Sequence, residues 1–451
     1  MNIQTLIYNS PYWIRQIAIN AYGYLLSRKR FSGSFKTYLT EYQNNLTKSP
    51  NQIEHEQFLL LKNNLIYCFE HIVYYKRIFK ENNFDPYKME SPEELKKLPY
   101  LTKDIIKKEL ENLYNKNIPK ANYTEHYTSG STGEKLRFLV PKELMVKKNT
   151  ALTYRFYGMT GIKPKDKRVT IGGRKFTNKK PFHAFNYFEN QLLLSAHHLS
   201  NENISEYLKK INSYKPVFIQ GHPSAILIIA KYILAKNAKL AMPLKAIFTT
   251  GETLIKDDKL TIEKAFETKV YQQYGSGENC FSAQEAPGED GYLLNYEHGY
   301  VEMIGNEQYK EVYVTSFLND VMPFVRYKIG DFVLPTEKTY SKEFGLPIIF
   351  KEVIGRIDDV LMDLDGNNIL PVTIRMNMKP FLTDNTNYQL IQKTQNLFYL
   401  NLLDINKSIN INQVKQMLRE ILGKDIQINV FYLSSLTTLG GKIRNVINEN
   451  K

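Results

Sequence analysis

Cysteine is scarce in this sequence, since Cys68 and Cys280 are the only two among 451 residues. Two distant cysteines supply neither a CxxC metal motif nor the disulfide framework of a small secreted protein. The eight histidines show no metal-like spacing with them. We therefore expect a reducing, cytoplasmic location and no zinc site.

Long apolar runs are also missing, because no stretch reaches the roughly 20 residues that a membrane-spanning helix needs. The most apolar segment, 225–235, contains Lys231 and predicts a buried helix. Arg15 and Gln16 help to interrupt the first twenty residues, so a secretory signal peptide is not expected. Segment 8–35 mixes aromatic with basic side chains. We expect it to pack on its own domain, and peripheral association with a membrane surface is the alternative.

Acidic residues are outnumbered, with 46 Asp and Glu against 60 Lys and Arg, and the resulting net charge of +14 favours anionic partners. The basic residues are spread along the chain instead of clustering with aromatic residues, as they do in grooves for single-stranded nucleic acid. We therefore expect no nucleic-acid partner. The aromatic share of 13% excludes a disordered chain.

The order of predicted elements indicates an α/β protein. Residues 51–118 have helical spacing of apolar side chains, which predicts a helical lead-in over 1–120. Between 123 and 335, short apolar strands alternate with helices, a pattern typical of a parallel sheet. The clearest examples are strands 216–219, 245–249 and 269–272 and helices 224–236 and 257–266. Strands that follow one another without helices in 291–335 predict an antiparallel part.

The last residues form a smaller predicted unit. Residues after about 356 have an α+β pattern, with a helix over 412–422 and a strand over 425–432. We expect a domain boundary at Gly355, which divides the chain into domains 1–354 and 355–451.

One loop is unusually rich in hydroxyl groups and glycine. Residues 127–135 read Tyr-Thr-Ser-Gly-Ser-Thr-Gly-Glu-Lys, and a predicted strand, 136–140, follows at once. Backbone N–H groups and hydroxyls at this density suit a polyphosphate. Gly130 and Gly133 are too close together for a Walker A loop. Taken alone, such a loop is more often a plain surface loop.

Four further motifs follow in order. They are Tyr274-Gly-Ser-Gly-Glu278, Arg326-Tyr-Lys-Ile-Gly-Asp331, Gly355-Arg-Ile-Asp-Asp359 and Gly440-Gly-Lys-Ile-Arg444. Together with the loop they resemble the signature motifs of the adenylate-forming superfamily, which includes acyl-CoA synthetases, adenylation domains and luciferase. The resemblance covers nearly the whole chain. Segments 221–224 and 251–254 look most like the phenylacetate-CoA ligase-like branch, especially its capsular polysaccharide biosynthesis (CapK-type) members.

This resemblance implies a fold and a set of site residues. The implied α/β fold has a large N-terminal domain, with parallel sheets flanked by helices plus an antiparallel part, and a small mobile α+β C-terminal domain. Residues implied to bind ATP are Thr128, Ser129, Gly130, Ser131, Thr132 and Gly133 at the β- and γ-phosphates, Gly251, Glu252, Thr253, Tyr274, Gly275 and Ser276 elsewhere on the nucleotide, and Asp331 at the ribose hydroxyls.

The resemblance also implies the catalytic residues. Glu278 would hold Mg²⁺, Arg356 would contact ribose or phosphate, and Asp358 would be the hinge between the domains. Lys442 would bridge the carboxylate substrate and the α-phosphate. The chain departs from the family pattern at three positions, namely Lys135, Gly277 and Ile329, where many relatives have Pro, Thr and Thr.

The implied reaction activates a small carboxylic acid as an acyl-AMP with ATP and Mg²⁺, releases pyrophosphate and transfers the acyl group to a thiol of coenzyme A or a carrier protein. One alternative is an amide ligase that acts on an amino sugar or amine of a surface polysaccharide precursor. The other is a degenerate relative that binds nucleotide without turnover. The three departures are consistent with it, and the intact Glu278, Asp331, Asp358 and Lys442 argue against it.

Overall fold

The computed structural model describes most of the chain. The described residues are 7, 10–127, 136–173, 176, 180–200, 202–305, 309–356, 360–369, 371–382, 386–404, 407–433, 436, 438–439, 442–443 and 445–450. Among them, no helix is both long enough and apolar enough to cross a membrane.

Helices dominate the first part of the chain, as predicted. They are α1 (Tyr12–Phe31), α2 (Phe35–Asn44), α3 (Pro50–His71), α4 (Val73–Glu81) and α5 (Lys103–Glu109). Helix α3 begins with a capping box, in which Ser49 and Gln52 each accept a hydrogen bond from the other's backbone N–H. It ends at His71, before Ile72. Ser91 caps a short 3₁₀ helix, Pro92–Lys97, by accepting a hydrogen bond from Glu93 N.

Strands and helices alternate through the middle of the chain. The strands are β1 (Tyr123–Tyr127), β2 (Arg137–Pro141), β3 (Arg168–Gly172), β4 (His183–Asn186), β5 (Gln191–Ser195), β6 (Phe218–Gly221), β7 (Ala246–Thr250), β8 (Val270–Gly275), β9 (Ser282–Gln284), β10 (Tyr292–Leu294), β11 (Gly299–Gly305), β12 (Lys310–Ser316), β13 (Tyr327–Leu334), β14 (Ile348–Phe350) and β15 (Glu352–Arg356). The helices are α6 (Leu144–Gly158), α7 (Ile204–Tyr214), α8 (Pro223–Ala235) and α9 (Lys256–Phe266).

The largest sheet has nine strands in the order β14-β10-β9-β8-β7-β6-β3-β5-β4. Strands β5, β3, β6, β7 and β8 are parallel, and the strands at both ends of the sheet are antiparallel. The predicted strands 216–219, 245–249 and 269–272 are β6, β7 and β8, adjacent in the parallel part. Predicted helices 224–236 and 257–266 are α8 and α9, whose apolar sides pack in one core with β6 and β7.

A second sheet contains the antiparallel strands that the sequence predicts. Its order is β11-β12-β13-β15, and every neighbouring pair is antiparallel. Strand β14, which the sequence analysis does not predict, joins the nine-stranded sheet through β10.

The C-terminal part builds a separate hydrophobic core, formed by residues from Leu361 to Val446. Its elements are β16 (Leu361–Met362), β17 (Asn368–Ile369), α10 (Pro371–Met378), β18 (Asn387–Gln392), β19 (Leu397–Leu403), α11 (Ile411–Leu422), β20 (Gln427–Tyr432), β21 (Thr438–Leu439), β22 (Lys442–Ile443) and β23 (Val446–Asn448). The main sheet here has the order β20-β19-β18-β23. The division into domains 1–354 and 355–451 stays a prediction, and Gly355 lies within β15.

A buried ion pair connects the helical lead-in to the sheets. The Arg155 side chain on α6 is buried, and its terminal nitrogens donate to Glu297 Oε1 at 2.5 Å and Oε2 at 2.9 Å. It also donates to the Tyr42 carbonyl oxygen at 3.1 Å, and Asn45 donates to Glu297 at 2.7 Å. Since both charged groups have lost water, each depends on the other for compensation.

We expect Arg155→Met to lower the free energy of unfolding by about 3–5 kcal/mol, because Glu297 would remain buried without its cation. Urea denaturation followed by circular dichroism measures the change. The matched control is Arg77→Met, which removes a partly exposed ion pair with Glu109 at 2.8 Å and should cost about 1 kcal/mol or less. Equal losses in the two variants would contradict the structural role of Arg155.

Candidate functional site

Most of the described residues that the sequence assigns to the site meet at one edge of the large sheet. Strands β7 and β8 are parallel neighbours, so their carboxyl ends open at the same edge. Gly251, Glu252 and Thr253 follow β7, while Tyr274 and Gly275 end β8. The parallel pairing therefore brings these two separate sequence segments to one place.

Two hydrogen bonds join this edge to β13 of the second sheet. The Tyr274 hydroxyl donates to Asp331 Oδ2 at 2.8 Å, and the Tyr327 hydroxyl donates to Glu278 Oε1 at 2.7 Å. Glu278 and Tyr327 are both buried. The tyrosine of each motif thus donates a hydrogen bond to the carboxyl group of the other motif. The sequence motifs place Glu278, Asp331 and Tyr274 in the site, but they predict no role for Tyr327.

Aromatic side chains hold the Tyr274 ring in place. Phe281 and Phe350 lie in edge-to-face contact with it, at centroid distances of 5.3 and 5.5 Å, and Tyr292 lies at 6.4 Å. Such contacts fix the orientation of a ring beyond what burial alone would do. Tyr274 is half-buried, so a fixed aromatic ring borders the site.

The turn after β8 carries Glu278. Ser276 accepts hydrogen bonds at both of its oxygens, from Asn279 N to its carbonyl oxygen at 3.0 Å and from Cys280 N to Oγ at 3.3 Å. A Cβ added at Gly277 would meet no heavy atom within 4 Å, so this departure from the family pattern leaves open space. Burial and the nearby Glu278 raise the pKa of the Cys280 thiol well above its usual value. A thiol held protonated is a poor nucleophile.

A chain of buried polar groups supports this turn from behind. His298 lies between the Asn279 carbonyl oxygen, 3.1 Å from Nε2, and Ser282 Oγ, 2.9 Å from Nδ1. Asn295 donates to Ser282 Oγ at 2.7 Å and accepts from Arg155 at 2.6 Å. The Glu278 turn is therefore connected to the buried ion pair of α6. From the sequence, His298 is considered only as a metal ligand, so its role in supporting the Glu278 turn is not predicted.

Glu252 connects the segments that follow β6 and β7. Its Oε2 accepts from Ser224 N at 3.1 Å, at the start of α8, and its carbonyl oxygen accepts from Gln272 Nε2 at 2.7 Å. Among the residues that the structure describes, its Oε1 is buried and has no hydrogen-bond partner. His222 Nδ1 lies 3.3 Å from the Thr250 carbonyl oxygen. The segments after β6 and β7 are thus held together, with Glu252 bound to the N-terminus of α8.

Strand β15 brings the predicted hinge segment next to Asp331. Asp331 is the direct strand partner of Arg356, whose backbone is described although its side chain is not. Gly355 has φ +124°, and a Cβ added there would lie 3.9 Å from Thr253 Oγ1. Gly330, with φ +84°, also has a conformation that favours glycine. Thr253 and Asp331 therefore both lie beside the 355–356 segment.

Other assigned residues lie outside the described part of the structure. These are Thr128, Ser129, Gly130, Ser131, Thr132 and Gly133 of the glycine-rich loop, and the hinge residue Asp358. Lys442 is described only as backbone, in β22. Strands β1 and β2 pair Tyr127 with Arg137 and so bring the two flanks of segment 128–135 together. Arg137, the first residue of β2, donates to Glu125 at 2.8 Å.

The side chains of Asp331 and Tyr274 fit a nucleotide. The Asp331 carboxyl group can accept from two adjacent hydroxyls, and the Tyr274 ring offers an aromatic surface beside it. Among the described residues, no group of three or more His, Cys, Asp or Glu side chains could hold a metal ion. Mg²⁺ commonly uses one or two carboxylates and takes its other ligands from substrate phosphates and water, so Glu278 alone fits that mode.

No family model matches the sequence. The chain is 30% identical to Protein CapK from Staphylococcus aureus over 459 residues, which cover 99% of each protein. It is similar in fold to a 2-hydroxyisobutyryl-CoA ligase in complex with 2-HIB-AMP in the postadenylation state, at 17% identity and a TM-score of 0.67, over 89% of this chain and 91% of that one. The same ligase with 2-HIB-AMP and CoA in the thioesterification state has 18% identity and a TM-score of 0.56, over 90% and 91%.

The buried His298 predicts a pH dependence of stability. Burial lowers its pKa from 6.5 to about 4, against an opposing effect of the bond to the Asn279 carbonyl. Between these values the unfolded chain binds the proton and the native protein does not. We therefore expect the free energy of unfolding to fall as the pH is lowered from 6.5 to 4, by about 3 kcal/mol from this group.

Chemical denaturation at a series of pH values measures this loss. His298→Gln should show a smaller loss, with the remainder arising from His183, whose pKa burial also lowers to about 4. His126→Gln at an exposed position is the control and should match the unmodified protein. The same pH profile in His298→Gln and the unmodified protein would refute the assignment.

Proposed function

Because the chain belongs to the CapK family and has the fold of the adenylate-forming ligases, we propose that it activates a carboxylate with ATP. The observation that carries the proposal is the crossed pair of hydrogen bonds, Tyr274 to Asp331 and Tyr327 to Glu278. These bonds join an aromatic ring and two carboxyl groups at the edge where parallel strands end, which is where ligands of α/β sheets bind.

In the proposed first step, a carboxylate oxygen of a small organic acid attacks the α-phosphorus of ATP. The bond from that phosphorus to the oxygen bridging to the β-phosphate breaks, and pyrophosphate leaves with the electron pair. Asp331 would hold the ribose hydroxyls, and the Tyr274 ring would stack on adenine. Both groups bind parts of the nucleotide that do not react, so they contribute by positioning the α-phosphorus.

Charge must be neutralised where the phosphates react. Glu278 would hold Mg²⁺, which supplies electrostatic stabilisation of the negative charge on the phosphate oxygens. Thr128, Ser129, Gly130, Ser131, Thr132 and Gly133 would donate hydrogen bonds to the β- and γ-phosphates. Arg356 would add a cation at the ribose or phosphate, and Lys442 would bridge the carboxylate and the α-phosphate. Asp358 would allow the domain change between the two half-reactions.

In the proposed second step, an acceptor attacks the acyl carbonyl carbon, and AMP leaves with the bonding electrons. We assign a thiol, of coenzyme A or a carrier protein, as the acceptor. The amine of a surface polysaccharide precursor is the alternative. The reaction would take place in the cytoplasm. A cysteine nucleophile in the chain is not part of this scheme, since burial raises the pKa of both Cys68 and Cys280.

We expect carboxylate-dependent release of pyrophosphate from ATP and Mg²⁺ with at least one member of a panel of aryl, acyl and amino acids. Adding coenzyme A, a carrier protein or an amine to the preformed acyl-AMP then identifies the acceptor. No release with any acid would favour the degenerate relative instead. Transfer to amines but not to thiols would contradict the acceptor that we assign.

An Asp331 variant makes this assay specific for the proposed site. Asp331→Asn should lower kcat/KM for ATP by about 10- to 100-fold, since a hydrogen bond to a charged group is worth about 1.5–3 kcal/mol. The control, Asp290→Asn, alters an aspartate that lies 3.6 Å from Lys351 with an exposed side chain, and it should leave kcat/KM unchanged.

We expect Lys442→Ala to lower pyrophosphate release by at least about 100-fold, as loss of a preorganised donor in the transition state does. ATP binding and acyl transfer from supplied acyl-AMP should stay near the unmodified values. Single-turnover assays of the two half-reactions measure both effects. Equal loss in the two half-reactions would refute an adenylation-specific role for Lys442.

A further inference from the structure

The first helix has an inverted arrangement of polar and apolar residues. Its inward side carries polar or small residues, namely Arg15, Gln16, Asn20, Gly23, Ser27 and Arg30, of which Arg15, Gly23 and Ser27 are fully buried. Six large apolar side chains of α1 are exposed on its other side, whereas Ile19 and Phe31 pack against buried residues. A surface helix of a globular protein normally has the opposite arrangement.

The inward side is polar because α1 covers the open edge of the nine-stranded sheet. Within the described part of the chain, β4 is the last strand on that side, and its outer backbone groups face no neighbouring strand there. Gln16 accepts from Phe185 N at 3.0 Å and donates to Phe185 O, and Asn20 accepts from Tyr187 N at 2.9 Å. Side-chain amides thus replace a missing strand.

Glycine lets the helix approach this edge closely. A Cβ added at Gly23 would lie 2.3 Å from Asn186 Oδ1, so a side chain at this position would force the Asn186 amide to shift. Near the end of the helix, Arg30 donates to both oxygens of the buried Glu189 at 2.9 Å. The orientation of α1 is therefore fixed by contacts on its polar side, and its apolar side is left to face outward.

The outward side forms a patch that we call the α1 face. Its members are the exposed aromatic and aliphatic side chains Trp13 (65% exposed), Ile14 (38%), Ile17 (63%), Tyr22 (60%), Tyr24 (44%) and Leu25 (59%), together with Tyr187 (68%) and Phe188 (44%). Phe188 belongs to the patch because its ring lies edge-to-face with Tyr24 at 5.2 Å. So many adjacent exposed apolar side chains mark an interaction surface.

The charge around the α1 face has one sign. Helix α1 contains no acidic residue, and Arg28 and Lys29 are exposed in its last turn. The Arg28 guanidinium lies 5.9 Å from the centre of the Tyr24 ring, so the cation borders the aromatic part of the patch. The nearby Glu189 is buried against Arg30 and Arg168. An anionic partner therefore meets no exposed acid on α1.

We propose that the α1 face docks on an anionic lipid surface, with its apolar side chains in the boundary between headgroups and acyl chains and with Arg28 and Lys29 at the phosphates. Helices that lie in this boundary have large apolar and aromatic residues on one side and basic residues nearby. Tyrosine and tryptophan suit this depth, since their rings are apolar and their polar atoms reach water.

A second copy of the chain fits this surface less well. In a twofold dimer the same patch meets itself, so Arg28 and Lys29 of each copy would be covered by a helix that offers no acidic partner. A cation covered in an interface without a counter-charge weakens that interface. The proposal depends on the α1 face alone and does not require the proposed ligase activity.

The single tryptophan of the chain makes this proposal directly testable. Trp13 is the only tryptophan in the sequence, and it lies on the α1 face. We expect vesicles that contain phosphatidylglycerol to shift its fluorescence to shorter wavelength and to sediment the full-length protein, whereas vesicles of phosphatidylcholine alone should do neither. No shift and no sedimentation with phosphatidylglycerol would refute the proposal.

Three sets of variants separate the contributions. Ile17→Ser with Leu25→Ser should weaken vesicle binding by at least about tenfold, from the lost apolar burial. Arg28→Gln with Lys29→Gln should weaken it by about 10- to 30-fold, at about 1 kcal/mol per cation. Leu260→Ser, at an isolated exposed leucine on α9, is the control and should bind normally.

Two further results would overturn the proposal. Equal binding to neutral and anionic vesicles would exclude recognition of anionic lipid. A mass of two chains in light scattering without vesicles, lost in Ile17→Ser with Leu25→Ser, would assign the α1 face to a second copy. Circular dichroism of each variant verifies that loss of binding does not come from loss of the fold.

Discussion

Two hydrogen bonds between tyrosine hydroxyls and carboxyl groups hold the candidate site together. Tyr274 of the nine-stranded sheet donates to Asp331 of the four-stranded sheet, and Tyr327 of the four-stranded sheet donates to Glu278 after β8. A buried carboxyl group without a donor would cost more than either bond contributes, so the two sheets must keep this relative position. The site therefore depends on the same contacts that join the sheets, and Glu278 and Asp331 are positioned before any ligand binds.

This constraint extends away from the site through buried polar groups. His298 supports the Glu278 turn through the Asn279 carbonyl oxygen, and Ser282 and Asn295 connect it to the Arg155–Glu297 ion pair. Each of these groups is costly to bury and is compensated by the next one. A network of this kind positions a turn more rigidly than apolar packing does, since hydrogen bonds are directional. It also makes the turn sensitive to any change that protonates the imidazole.

Helix α1 covers the open edge of the large sheet at β4, and this arrangement determines which of its side chains are exposed. The backbone groups of β4 need partners, and α1 supplies them from Gln16 and Asn20. A helix that uses its polar side in this way must leave its apolar side towards solvent. The exposed patch around Trp13 is therefore a consequence of how the sheet edge is covered. It also gives part of the surface charge a specific location, in the basic last turn of α1.

Several features could be predicted from the sequence. They are the order of elements, the parallel pairing of β6, β7 and β8, the antiparallel strands that follow, and the family to which the chain belongs. These features depend on apolar periodicity and on motifs of a few neighbouring residues, both of which are local. The assignment of Glu278, Asp331 and Tyr274 to one site came from the resemblance. The assignments on 128–133 and Asp358, and on the side chains of Arg356 and Lys442, stay predictions.

The pairs of atoms that meet in the site could not be predicted from the sequence. Tyr274 and Asp331 are 57 positions apart, and Tyr327 and Glu278 are 49 apart, so no local pattern links them. The binding of Glu252 to the start of α8, the support of the turn by His298 and the inverted orientation of α1 likewise arise from contacts between distant segments. The physical reason is the same in each case. A buried or edge polar group must find a hydrogen-bond partner, and the folded chain determines which partner is within reach.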